Sequence, residues 1–229
     1  SSILYRLQYA NGINSPPTAI DNLGNLGGAL NQPGQIRIIK NDDGWFGLIH
    51  NAGSTGGELL KLSFGDKLSN PITIITLASG FTNVNSGLAV GRDETDGWVC
   101  ILSSATNQFT IVRLGFDLSA PAPTDIINSV NVPDQNNLGD VDLIKECDEW
   151  FGFATNFGNG NLYRLKFGTQ LFSSPTIEKL TGTDVVNGGR LRIVKEGAEF
   201  FLLSTSLGGA FYKTSFGSDL NNPTPTIIN

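Results

Sequence analysis

The chain has 229 residues, 39% of them hydrophobic and only 16% charged, with a net charge of −6. That is enough apolar material for one large packed domain, and an acidic chain without a basic cluster excludes a nucleic-acid binder. No apolar run is long enough to span a bilayer, which excludes membrane insertion. The charged fraction lies well under the usual quarter. Polarity comes instead from Asn, of which there are 22, and from Ser, Thr and Gly, and this predicts an extracellular or cell-surface location. The absence of Met, even at position 1, predicts a processed product or an excerpt of a longer chain, and no basic-then-apolar leader is visible.

In chain order, two motifs alternate. The first opens as ILYRLQYANGINSPPTAIDN from Ile3 and returns as ELLKLSFGDKLSNPITIITL from Glu58 and FTIVRLGFDLSAPAPTDIIN from Phe109. It appears twice more, as NLYRLKFGTQLFSSPTIEKL from Asn161 and AFYKTSFGSDLNNPTPTIIN from Ala210. Anchored on Arg6, Lys61, Arg113, Arg164 and Lys213, the copies are 55, 52, 51 and 49 residues apart. Between them stand IRIIKNDDGWFGLIHN from Ile36, LAVGRDETDGWVCILSS from Leu88, VDLIKECDEWFGFATN from Val141 and LRIVKEGAEFFLLSTS from Leu191. Their aromatic anchors Trp45, Trp98, Trp150 and Phe200 are spaced 53, 52 and 50. Two independent anchors thus give one period of about 50 residues, and such a period marks a repeat architecture.

Each period holds four strand-like runs. In the third they are VDLIK (141–145), WFGFAT (150–155), NLYRLKF (161–167) and PTIEKL (175–180). The runs are rich in β-branched and aromatic residues and bounded by Gly, Asn, Asp and Pro, the residues of turns. In NLYRLKF, Leu162, Arg164 and Lys166 alternate with Tyr163, Leu165 and Phe167, as on a strand. Four strands per period predict an all-β fold, a β-propeller of four-stranded blades. The expected layout is a half blade at 3–22 and blades at about 27–77, 86–128, 140–180 and 190–229. Four and a half blades leave an open sheet edge, and five blades are the smallest closed solution. Trp45, Trp98, Trp150 and Phe200 are the expected wedges between blades, with Tyr9, Phe64, Phe116, Phe167 and Phe216 in the same part on the third strand.

The segments NLGNLGG (22–28), IRIIKNDDGWFGLIHN and LYRLKFGTQLFSSPTIEKL resemble the propeller-type repeats of large secreted surface proteins of Bacteroidetes, associated with gliding motility and type IX secretion. The resemblance runs the length of the chain, although the NLG-x-x-GG segment is intact only once. It implies a secreted or cell-surface module, with no catalytic residues to carry over.

Candidate chemistry is sparse. His50 is the one histidine and reads as a strand-end polar residue. The acids Asp42–Asp43, Asp93–Glu94 with Asp96, and Glu146 with Asp148–Glu149 all fall in the turn between a blade's first two strands. They are too far apart for the facing carboxylates of a glycosidase. Neither NDDG nor DETDG has the spacing of a twelve-residue calcium loop. Cys100 and Cys147 stand at unmatched places in the repeat and are expected as unpaired thiols. Lys40, Arg92, Lys145 and Lys195 end the first strand of every blade and are weak candidates for an anion-binding ring at a channel mouth. The connecting loops at 22–35, 78–87, 129–140 and 181–190, and at 51–58, 104–108, 156–160 and 206–209, are the expected ligand face. No catalytic, metal or cofactor-binding residue is identified, and no cofactor is expected. The expected function is a non-enzymatic interaction or adhesion module, with a lectin-like glycan binder as the alternative and a hydrolase or lyase behind it. Its partners would be a protein or surface glycan, and other domains of a longer chain or assembly.

Overall fold

In the computed structural model every residue is described except 1, 11, 54–55, 82–83, 107, 133–136, 158, 182–187, 207 and 229. The described chain is a β-propeller of four blades and a half. The half blade pairs β1 (Tyr5–Gln8) with β2 (Ala19–Asn22). Blade one follows as β3 (Pro33–Asn41), β4 (Gly44–Asn51), β5 (Gly57–Gly65) and β6 (Thr73–Phe81), and blade two as β7 (Val84–Asp93), β8 (Gly97–Ser104), β9 (Gln108–Gly115) and β10 (Ile126–Asn131). Blade three is β11 (Leu138–Glu146), β12 (Glu149–Asn156), β13 (Leu162–Gly168) and β14 (Thr176–Leu180). Blade four is β15 (Gly188–Glu196), β16 (Glu199–Ser206), β17 (Phe211–Gly217) and β18 (Thr226–Ile228). All pairs are antiparallel, and the innermost strands pack in the order β3, β7, β11, β15.

The apolar core is divided by joint. One cluster joins the half blade to blade one around Leu4, Trp45, Phe64 and Leu68, and the next joins blades one and two around Phe46, Trp98, Leu114 and Leu118. The third and fourth hold Trp150, Phe167 and Leu171, then Phe200, Phe216 and Leu220. Each joint buries a second-strand aromatic, a third-strand apolar residue and a leucine from the following loop. Non-directional burial of this kind, repeated joint by joint, is what the repeating aromatics encode. Close approach requires glycine at the joint of blades two and three: a Cβ on Gly91 would lie 2.5 Å from Leu171 Cδ2 and 3.0 Å from the Trp150 ring.

Two wedge assignments are corrected. Phe116 is 49% exposed and Tyr9 37%. In blades one, three and four the turn glycine follows the aromatic, and Gly65, Gly168 and Gly217 pair with Trp45, Trp150 and Phe200. In blade two Gly115, which precedes Phe116, pairs with Trp98, so Leu114 fills the core position instead. By the same register Arg113 stands two residues beyond the place of Lys61 and Arg164, and Ile111 occupies it. Tyr9 lies in the half blade, beyond the end of β1.

The basic residue of the third strand latches consecutive blades. Arg6 Nη1 donates to the carbonyls of Leu68 and Asn70 at 3.0 and 3.3 Å, and Lys61 Nζ to those of Asp117 and Leu118 at 3.3 and 3.0 Å. Arg164, fully buried, donates through Nη1 to Leu220 and Asn222 at 2.6 and 2.8 Å, and through Nη2 to Glu178 at 2.8 Å.

The blade-three hairpin leaves Cys147 and Asp148 between the paired Glu146 and Glu149, with φ of 49° and 66°. A two-residue hairpin turn with both residues in the left-handed region favours Asn-Gly. Asp148→Gly is therefore expected to raise stability by about 1 kcal/mol, the cost of one left-handed non-glycine residue, read as a higher midpoint in urea. The exposed 3.7 Å contact of Asp148 with Lys145 that it removes is worth little. Cys147 is exposed, while Cys100 is buried, which pushes its thiol well above the ordinary range. A thiol reagent should label one cysteine in the native protein and two in denaturant, counted by mass.

Candidate functional site at the propeller axis

Every blade carries a register shift at one place in its first strand: Pro33/Ile36, Val84/Leu88, Leu138/Val141 and Gly188/Leu191. A bulge re-aims side chains next to it, and here the shifts bring polar residues of β3, β11 and β15 together at the axis. Arg37 spans it. Its Nε donates to the Leu88 carbonyl at 2.6 Å, and its Nη2 to the Val141 carbonyl at 3.2 Å and Asp142 Oδ1 at 3.4 Å. Arg192 Nη1 donates to the same Oδ1 at 2.8 Å, and the Ile193 amide donates to Asp142 Oδ2 at 3.1 Å. Asp140 accepts from the Leu191 amide at 3.0 Å and from Gln35 Nε2 at 3.3 Å. Arg190 Nη2 donates to the Gly34 carbonyl at 3.3 Å, tying β15 to β3.

Burial raises both carboxyls among the described residues. Burial pushes Asp142 up to about 6, against the pull of Arg37 and the Ile193 amide. It raises Asp140 as well, against the Leu191 amide and Arg37. Burial also lowers Arg37, against the attraction of Asp142 and Asp140. A carboxyl raised by burial is a candidate proton donor, and such perturbation beside a cleft is a mark of function. Asp140, Arg190 and Arg192 line a cavity of about 530 Å³ that opens from the axis between β3 and blade four.

The sequence reading singled out none of these residues. The signal was available in the repeat itself. Three residues before Lys40, Arg92, Lys145 and Lys195 stand Arg37, Ala89, Asp142 and Arg192, and five before stand Gln35, Gly87, Asp140 and Arg190. The strand recurs while its axial side chains differ blade by blade.

The residues singled out from the sequence lie elsewhere. Lys40, Arg92, Lys145 and Lys195 pair across the hairpin with Trp45, Trp98, Trp150 and Phe200. Each cation stands over its ring, 5.5, 5.7, 6.0 and 4.9 Å from the centroid, an attraction of about 0.5–1 kcal/mol at an exposed site. Lys195 also bonds Glu146 at 2.9 Å. His50 is buried on β4. Asp93 accepts from the amides of Thr95, Asp96 and Leu171 and from Trp150 Nε1 at 3.1 Å, so it braces a turn and a joint. Among the described residues no three His, Cys, Asp or Glu side chains cluster as metal ligands, and no helix is long and apolar enough to cross a membrane. Residues 54–55, 82–83, 107, 133–136, 158, 182–187 and 207 of the expected ligand loops lie outside the described residues.

Fold and axis together define a propeller with a buried acid pair and arginines at its centre. Solved structures of similar shape include glycoside hydrolases and, with a TM-score of 0.52 at 14% identity over 99% of this chain and 43% of that one, the dihydro-heme d1 dehydrogenase NirN. A thermostable family-43 glycoside hydrolase matches with a TM-score of 0.61 at 9% identity, over 92% of this chain and 81% of that one. A GH62 hydrolase in complex with xylotriose matches at 0.56 and 16% identity, over 87% and 69%. A bifunctional GH43-CE protein of Bacteroides eggerthii matches at 0.58 and 10% identity, with 87% of this chain covering only 26% of that protein. No family model and no curated protein matches. At these identities the likeness establishes the fold. The expectation of a non-enzymatic adhesion module is overturned by these matches, which are to enzymes along most of this chain.

Proposed function

We propose that the protein is a carbohydrate-active enzyme that hydrolyses glycosidic bonds at the axial end of this cavity. The observation that carries the reading is the buried pair Asp140 and Asp142, of which Asp142 holds its proton to about pH 6. Asp140 lines the cavity and Asp142 stands just behind its lining; in this reading Asp142 gives its proton to the bridging oxygen as the bond to the anomeric carbon breaks. Asp140 takes a proton from the water whose oxygen forms the new bond on the opposite face. Arg37 and Arg192 fix the Asp142 carboxyl and stabilise the charge left on it once its proton has gone.

The complex of the GH62 neighbour with xylotriose supports a pentose glycan as substrate class. The low charged fraction and amide-rich composition support an extracellular substrate. The test is incubation of the chain with xylan- and arabinan-derived oligosaccharides, reading products by mass. Shortened oligosaccharides from the wild type, and none from a variant with both Asp140→Asn and Asp142→Asn, are expected. No cleavage by the wild type of any neutral oligosaccharide would refute the reading.

A further inference from the structure

A second cavity, of about 520 Å³, lies on blade one and shares no lining residue with the axial one. Its walls come from the loop after β2, from β4, β5 and their connection, and from β6, so none of its lining belongs to β1 or to blade four. It takes in the one intact NLG-x-x-GG segment through Leu26 and Gly28. The volume lies within the roughly 300–1,000 Å³ of small-molecule sites. The cavity marks a departure from the repeat. Leu60 on β5 pairs with Ile49, and the same place on β13 and β17 holds Tyr163, paired with Ala154, and Tyr212, paired with Ser204. In blade three the Tyr163 ring is fully buried and its hydroxyl accepts from Asn161 Nδ2 at 3.3 Å. Asn161 stands three residues before Arg164, as Glu58 stands three before Lys61. Blade three thus fills this place with a six-membered ring and a hydroxyl of its own, and blade one, with Leu60, leaves it open.

The lining is polar and held in place. Asn51, buried on β4, donates through Nδ2 to the Ala29 carbonyl and to Glu58 Oε2, both at 3.0 Å, and its Oδ1 accepts from the Asn31 amide at 2.7 Å. The Gly53 amide donates to the Asn31 carbonyl at 3.0 Å, which ties the two loops together. Glu58 Oε1, the Asn31 side-chain amide and the Thr76 hydroxyl then have no hydrogen-bond partner among the described residues. Leu60 and Ile74 supply an apolar floor. No Lys, Arg or His lines the cavity, and Glu58 is its one carboxylate, so an anionic ligand is disfavoured. We propose that this cavity is a second glycan-binding site, which takes one ring of a neutral oligosaccharide where blade three holds Tyr163. The sugar hydroxyls pair with the amide, carboxylate and hydroxyl groups, and a C–H face of the ring meets Leu60 and Ile74. The site binds and does not cleave. The inference is independent of the hydrolase reading, since no axial residue takes part in it.

The probes are xylotriose and cellotriose, with a galacturonic acid trimer as the charged control, each titrated into the nitrogen-15-labelled chain and followed by amide NMR. Saturable shifts of the Gly28, Gly53 and Gly56 amides are expected with at least one neutral trisaccharide, and none with the charged one. The same shifts are expected in the variant with both Asp140→Asn and Asp142→Asn, so that binding here is read apart from the axial site and stands or falls without the hydrolase reading. Leu60→Tyr, which supplies the ring of blade three, and Thr76→Arg, at an exposed position of the lining, are each expected to weaken binding by about tenfold or more. Neither should lower turnover at the axis. Thr76→Arg decides the matter if Leu60→Tyr does not fold. No shift of these amides with either neutral sugar, equal shifts with the charged trimer, or unchanged binding in the folded variants overturns the proposal.

Discussion

Asp142→Asn is expected to lower turnover of a cleavable pentose oligosaccharide by at least ~10²-fold, the lower end of what a positioned general acid contributes. The remaining rate should lose its alkaline limb. The acid is competent only while protonated, so wild-type activity is present below about pH 6 and falls as pH rises through that value. The same shift acts on stability, and its sign is fixed. A folded-state pKa raised from 3.8 to about 6 means that below about pH 4 the group is protonated in both states and has no effect. Between 4 and 6 the unfolded chain ionises first, so stability falls as pH rises, and the full cost is present above 6. A substrate-bound steady-state profile and a urea series over the same pH range separate the two consequences.

Arg164→Ala is expected to cost about 2–3 kcal/mol, chiefly from buried carbonyl groups left without a donor, since its carboxylate partner Glu178 is 42% exposed and regains water. The guanidinium is 1% exposed and holds two carbonyls of blade four and the Glu178 carboxylate. Its loss leaves both carbonyls of the joint unpaired in an apolar surround. Lys61→Ala removes the equivalent latch between blades one and two, but that side chain is part-exposed, and a loss of about 1 kcal/mol is expected for hydrogen bonds of this kind. The ratio of the two effects, measured as midpoints in urea, tests whether burial sets the strength of the latch.

The period, the strand number and the half blade were all legible in the chain, because turn glycines and wedge aromatics must recur wherever the same joint recurs. Trp45, Trp98, Trp150 and Phe200 each sit in a joint for that reason. The frame misled where one local swap occurred: in LGFDL the glycine precedes the aromatic, so Phe116 points outward and Leu114 goes in. The axial site was hidden by the same habit of reading. Attention to what repeats passes over Arg37, Asp140, Asp142 and Arg192, which matter because they do not repeat. Their convergence also depends on the bulges of β3, β11 and β15, and register against the second strand is a property of pairing that no single strand states. Burial does the rest: Asp140 and Asp142 read as ordinary strand acids until the neighbouring blades remove their water.

The central claim is that Asp142 is a proton-bearing acid at the propeller axis. Carbon-13 NMR titration of the aspartate carboxyls measures this directly. The account predicts one carboxyl that titrates at about 6 and disappears in Asp142→Asn, with Asp125 and Asp21 titrating below the usual carboxylate range because Arg113 bonds the first and Gln8 and Arg6 bond the second. If every aspartate titrates at or below about 4, the ordinary value for that side chain, Asp142 is an ionised structural partner of Arg37 and Arg192, and the acid role assigned to it is wrong.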